Sequence, residues 1–178
     1  PSGATCHSLD DGLEKLRTDN WQGLMVELHF LEGLYHAGSD GAASAVDQAK
    51  RTFDGNTFAN SGTGPSYFQI VGDEGAVLGD GITASGALFI LGEGHPPSFT
   101  IRGLTFKGIS TDRAIDVQGG TPILESCVFQ DNPMGAIQLN TTNGSVVILN
   151  STFVNNGDAA ATSGRRLQAA AGAGRRLQ

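Results

Sequence analysis

One short string returns along the second half of this chain, and that repetition limits the fold more than any single residue does. Ile101-Arg-Gly-Leu-Thr-Phe106 aligns with Leu124-Glu-Ser-Cys-Val-Phe129 and Ile148-Leu-Asn-Ser-Thr-Phe153, at offsets of 23 and 24 residues. Between these strings, Ala114-Ile-Asp-Val117 matches Ala136-Ile-Gln-Leu139 at an offset of 22. Upstream, Gln69-Ile-Val-Gly72 matches Thr100-Ile-Arg-Gly103 as an earlier, longer repeat. The apolar segments (67–71, 76–78, 87–91, 99–106, 114–117, 122–129, 136–139 and 145–153) are short and separated by Gly, Asn and Asp. None is long enough for a helix, and the punctuation is that of strands and turns. Several short strands in a repeat of this length indicate a solenoid.

Each repeat makes strands that cannot bury their apolar face alone. Stacking repeats ~4.8 Å apart pairs their backbones as parallel ladders and lines up equivalent side chains. Phe106, Phe129 and Phe153 then form an aromatic stack, with Leu104, Cys127 and Ser151 as a second inward column and Ile101, Leu124 and Ile148 as a third. Asn132 and Asn156, each three residues after its Phe, fall at one corner, where Asn tolerates left-handed backbone and can bond between repeats. A leucine-rich repeat has a similar period, but its Leu-x-x-Leu-x-Leu frame is missing here. A β-sandwich would not place the same residue at the same point of every repeat.

The start of the chain reads differently. Ser8 and Asp11 supply helix-start chemistry ahead of Leu9, Leu13 and Leu16, which predicts a short amphipathic helix over 9–18. A strand is expected over 24–31, then an irregular loop over 37–66 with a helical turn or two near 42–50. The expected fold is all-β, a right-handed parallel β-helix with a short N-terminal capping helix. Residues 1–163 form that domain, and 164–178 form a basic low-complexity tail.

The motifs Phe129-Gln-Asp-Asn132 and Phe153-Val-Asn-Asn156, alternating with Gly135-Ala-Ile137, resemble the FxxN and GGA[ILV] repeats of polymorphic outer-membrane proteins. The wider pattern, including Leu28-His-Phe-Leu-Glu-Gly33-Leu-Tyr35, is similar to the pectate-lyase-like superfamily of right-handed β-helices. Met134 stands where the first Gly of GGA would be, and Ile109 where the first repeat would carry Asn. In that superfamily, enzymes use calcium-binding Asp clusters with an Arg or Lys base, or paired Asp for hydrolysis. The resemblance therefore names Asp112, Asp116, Glu125 and Asp131 as acids to test. They fall at different points of the repeat, and Glu125 aligns with Arg102, which suggests a cross-repeat ion pair instead. No catalytic residue, cofactor or metal site is assigned.

Charge narrows the partners. The tail holds four Arg and no acid, leaving 7 basic and 18 acidic side chains before it, or 7 − 18 = −11. So acidic a body is a poor match for nucleic-acid phosphates. No run of about 18 apolar residues exists, so no membrane insertion by this segment is expected. Three sequons, at Asn140, Asn143 and Asn150, favour the secretory pathway and glycosylation. Cys127 reads either as a buried, inert thiol or as the partner of Cys6 in a disulfide. His7, His29, His36 and His95 have no metal-ligand spacing, and Gly72-Asp-Glu-Gly75 and Gly79-Asp-Gly81 read as turns.

The chain begins at Pro1 without Met and reads as a processed or partial one. In the tail, Gly164-Arg-Arg-Leu-Gln168 recurs as Gly174-Arg-Arg-Leu-Gln178. It reads as a linker, or as a basic strip that reaches a partner or a processing site. The expected function is a non-catalytic, secreted or cell-surface structural and adhesive module. Its partners would be other subunits or further repeats of the same chain. The alternative is a polysaccharide-binding or polysaccharide-degrading β-helix, with glycans as its partners.

Overall fold

The structure, a computed structural model, describes residues 14–15, 21–35, 52–53, 65, 67–79, 87–92, 99–110, 112–140, 145–157 and 168–169. The β-branched and aromatic runs form short strands. These are β1 (Met25–Phe30), β2 (Gly33–Tyr35), β3 (Thr52–Phe53), β4 (Tyr67–Gly72), β5 (Ala76–Gly79), β6 (Phe89–Leu91), β7 (Phe99–Arg102) and β8 (Thr105–Lys107). They continue as β9 (Ile115–Val117), β10 (Ile123–Glu125), β11 (Val128–Gln130), β12 (Ile137–Leu139), β13 (Val147–Leu149), β14 (Thr152–Val154) and β15 (Gln168–Ala169).

The strands belong to three sheets, ordered β1-β4-β7-β10-β13-β15, β14-β11-β8-β5-β2 and β12-β9-β6-β3. The chain visits the sheets in rotation, and each return pairs parallel with the strand of the previous round. The fold is therefore all-β with stacked parallel strands, an arrangement compatible with a solenoid. The expected helix over 9–18 lies outside the described residues apart from Glu14 and Lys15, which are helical, and no capping helix is among the described elements. Most of the expected loop over 37–66 also lies outside them, but Thr52 and Phe53 within it form β3.

The pairing follows the repeat residue for residue. Ile101 faces Leu124, which faces Ile148, and Phe106 faces Phe129, which faces Phe153. Ile115 faces Ile137, while Gln69, Ile70 and Val71 face Thr100, Ile101 and Arg102. Phe106 and Phe129 stack with centroids 4.9 Å apart and planes 5° from parallel, and Phe129 and Phe153 do so at 4.9 Å and 8°. A second aromatic group sits in the earlier rounds: Phe53 lies 5.8, 5.4 and 5.6 Å from Phe68, Phe89 and Phe99. All four of these rings are buried in the same core cluster as Phe106 and Phe129.

Two corner columns of the later rounds adopt left-handed backbone. Gly103, Ser126 and Asn150 form one such corner column, with φ of 73, 53 and 49°. Gly103 is required there, because a Cβ on it would come within 2.5 Å of the Gly72 carbonyl oxygen. Gly108, Asp131 and Asn155 form the other column, with φ of 70, 55 and 50°. This corrects the expectation for Asn132 and Asn156: the left-handed residue at that corner is the one before each. Asn132 and Asn156 instead carry the bonds between rounds.

Asn132 is fully buried. Its Oδ1 accepts from the Ile109 amide at 3.0 Å, and its Nδ2 donates to the Phe106 carbonyl at 3.1 Å and to Asn156 Oδ1 at 2.8 Å. Asn156 repeats the arrangement one round on, accepting from the Asn132 amide at 3.3 Å and donating to the Phe129 carbonyl at 2.9 Å. The Ile109 amide, beyond the end of β8, is thus satisfied by a side chain, and the same side chain bonds the Phe106 carbonyl within β8. Ile109, in the position of the missing first Asn, is a core residue whose amide ends the ladder.

These contacts set an order of mutational cost. Phe106→Ala and Phe129→Ala are each expected to destabilise by about 3–5 kcal/mol, whereas Phe153→Ala, at a half-buried site, costs less. Asn132→Ala leaves the buried Ile109 N–H without its acceptor, at about 1–3 kcal/mol. Asn156→Ala, at a half-buried site, costs less than Asn132→Ala. Urea denaturation of the four variants measures all of these differences.

Candidate interaction faces

The four acids suggested by the resemblance are dispersed by the fold. Asp112 lies just before β9, where its Oδ1 accepts from the Arg113 amide at 2.8 Å and the Arg113 guanidinium at 3.2 Å. Asp116 sits within β9, flanked by Ile90 and Gln138 in the neighbouring strands, and its Oδ2 accepts from Gln118 at 2.8 Å. Its Oδ1 is buried with no hydrogen-bond partner. Glu125 belongs to β10, in another sheet. Asp131 lies at the left-handed corner, accepting from Gln130 at 2.9 Å and Asn155 at 3.2 Å.

No two of the four share a column, whereas glycoside hydrolysis places two carboxyls within about 10 Å across one bond. The suggested Arg102–Glu125 ion pair is also absent among the described residues. The two face each other in adjacent strands, but no salt bridge joins them. Strand register sets where the side chains start, and an exposed Arg and a half-buried Glu, both flexible, gain little by meeting at a wet surface.

A cluster that the sequence pattern did not show lies on the first round. β1 and β4 pair so that Glu27 faces Gln69 and His29 faces Val71. Glu27 accepts from Gln69 Nε2 and contacts His29 Nε2, while His29 Nδ1 lies 3.8 Å from Asp73. Tyr67 completes the chain by donating to Gln69 Oε1 at 2.6 Å. Glu32 lies against Gly75, beside Glu74. Residues 21–35 and 67–79 therefore contribute four acids and no Lys or Arg. Leu24, Met25, Leu31 and Leu34 are exposed on the same round, Met25 at 79%. The only sequence signal for this cluster was the β1–β4 register, across a gap of 42 residues with no repeat to reveal it.

Among the described residues, no group of three or more His, Cys, Asp or Glu could hold a metal ion. His7, His36 and His95 lie outside them, as do Asp80, Gly81, Cys6 and Asn143. Asp73 to Ala76 forms a turn, closed by the Ala76 amide on the Asp73 carbonyl at 3.0 Å.

Asn140 and Asn150 are both exposed. Asn150 occupies the first left-handed corner, and the sequon's Thr152 is exposed beside it. Ser151, between them, turns inward and accepts from the Cys127 amide at 3.0 Å.

Cys127 is a free, buried thiol in the Leu104 column. It donates to the Ile101 and Glu125 carbonyls at 3.5 Å. Burial pushes it up from the ordinary thiol range to about 11, against smaller lowering by backbone hydrogen bonds.

The last described rounds are less covered. Ile137, Leu139, Ile148 and Phe153 are only partly buried, and Val154 is 41% exposed. Among the described strands β12 and β14 are sheet edges, while β13 is paired by β15.

Comparison with known protein families, curated proteins and solved structures finds no match to this chain.

The thiol supplies a direct test. Because its folded-state pKa is raised, the folded protein holds a proton that the unfolded chain releases first. The contribution is constant below the ordinary thiol range and is lost as pH rises from there towards 11. Stability should fall by up to about 1.4 kcal/mol per pH unit in that window. Cys127→Val should remove this component of the slope in urea titrations at pH 8 to 11. A thiol reagent should label Cys127 only on unfolding.

Proposed function

We propose that this chain is a right-handed parallel β-helix of the pectate-lyase-like kind, with repeats similar to those of polymorphic outer-membrane proteins. It serves as a non-catalytic structural and adhesive module on a secreted or cell-surface protein, within a larger assembly. The observation that carries this reading is the unbroken stack of side-chain columns. Aromatic and amide ladders run across successive rounds, which makes a stiff body with long, repetitive outer faces. Such a body presents contacts at fixed spacing and resists local opening, both useful outside the cell. Exposed sequons at Asn140 and Asn150 support passage through the secretory pathway.

A second reading, polysaccharide binding or cleavage, draws on Asp116 Oδ1, a buried carboxylate oxygen with no partner. Two experiments separate the readings. Expression through a eukaryotic secretory pathway should give a product that loses mass on enzymatic deglycosylation, with Asn150→Gln removing one glycan. Retention of an unmodified product in the cell would contradict secretion. A screen on acidic and neutral polysaccharides should show no turnover; turnover abolished by Asp116→Ala or Asp131→Ala would establish the second reading.

A further inference from the structure

One residue of the tail's repeated pentapeptide has a place in the fold. Gln168, the last residue of Gly164-Arg-Arg-Leu-Gln168, forms β15 with Ala169 and pairs parallel with β13 (Val147 with Gln168, Ile148 with Ala169). The long sheet thus accepts the last residue of this string, with the Ala169 that follows it, as an added strand. The second copy, Gly174-Arg-Arg-Leu-Gln178, has the same sequence. Among the described strands, the opposite edge of the same sheet is β1.

The two partners are complementary. Along β1, Met25 and its neighbour Leu24 are exposed, and Leu31 and Leu34 continue the apolar surface into β2. Beside them stand Glu27, Glu32, Asp73 and Glu74, all exposed, in two segments that contain no Lys or Arg. The pentapeptide offers two Arg for the acids, one Leu for the apolar surface and a backbone that can pair with a strand edge. A six-residue strand that has one open edge among the described residues invites such an addition.

We infer that the open side of the first round is a docking surface for residues 174–178 of a second copy of this chain, which adds there as a parallel strand. The contact is heterologous: tail and first round are different surfaces, so each copy can give one contact and receive one, and the product is a chain of copies. This inference rests on the assembly reading above and gives it a joint.

Sedimentation velocity on the full chain over a range of concentrations tests it. The full chain should form dimers and larger species, weakened at least ~10-fold by raising salt from about 0.05 to about 0.5 M, because ion pairs at an exposed contact are screened. Removing residues 174–178 should leave a monomer with an unchanged far-UV spectrum. Arg175→Glu with Arg176→Glu should do the same, as should Glu32→Arg with Glu74→Arg. All four reversals in one chain should restore association. Association that persists without residues 174–178, or that the fourfold variant fails to recover, overturns the inference. A monomeric full chain that is secreted and glycosylated overturns it too, while leaving the module reading in place.

Discussion

The centroids of Phe106, Phe129 and Phe153 step by 4.9 Å, and hydrogen-bonded strands in a sheet lie about 4.7–4.9 Å apart. That match is the constraint on which the rest of the structure depends. Parallel pairing holds equivalent residues at one spacing, and flat rings stacked at that spacing are in van der Waals contact. A column survives only if each round returns in register. A slip of one residue would turn every inward side chain out. The backbone ladder and the core columns therefore enforce each other.

Register in turn depends on the corners. A round made of three-residue strands has to change direction within one or two residues, and left-handed backbone does this at Gly103, Ser126 and Asn150, and again at Gly108, Asp131 and Asn155. The corner amides of Gly103, Ser126, Gly108 and Asp131 still reach carbonyls of the next round. The Ile109 and Asn132 amides just beyond have no strand carbonyl, and leaving them unpaired would offset part of the gain from burial. Asn132 and Asn156 remove that cost by bonding backbone on one side and the next Asn on the other. The same logic accounts for Ser151, which replaces Cys127 and Leu104 in its column and uses its hydroxyl to receive the Cys127 amide.

How much of this could be read in advance followed the loop lengths. From Phe99 onward the rounds are short and nearly equal, so the spacing of Ile101, Leu124 and Ile148 in the sequence is their pairing in the fold. The longer match of residues 69–72 with 100–103 was visible for the same reason, since the glycine at its end is demanded by the corner. In the first rounds that regularity breaks down. Phe53, set in a Gly- and Asn-rich stretch, gave no periodic signal, yet it packs against three other rings. The Glu27–His29–Asp73 group depends on β1 meeting β4 across a long excursion, which no local pattern encodes. The Asn corner was located to within one residue. Alignment shows which residues share a corner, while the backbone decides which of two neighbours takes the left-handed turn.

If the repeat is the structural unit, removing one whole round should be tolerated where removing half of one is not. Deleting residues 124–147 joins Ile123 to Ile148 and brings Phe153 onto Phe106, Asn156 beneath Ile109 and Asn150 beside Gly103, all in register. Deleting 124–135 removes half a round and breaks every column beyond it. The most direct measurement is urea unfolding of both deletions, followed by far-UV circular dichroism. The whole-round deletion should keep a β spectrum and one cooperative transition at a modestly lower midpoint, while the half-round deletion should show neither. Equal disruption by both deletions would contradict the account.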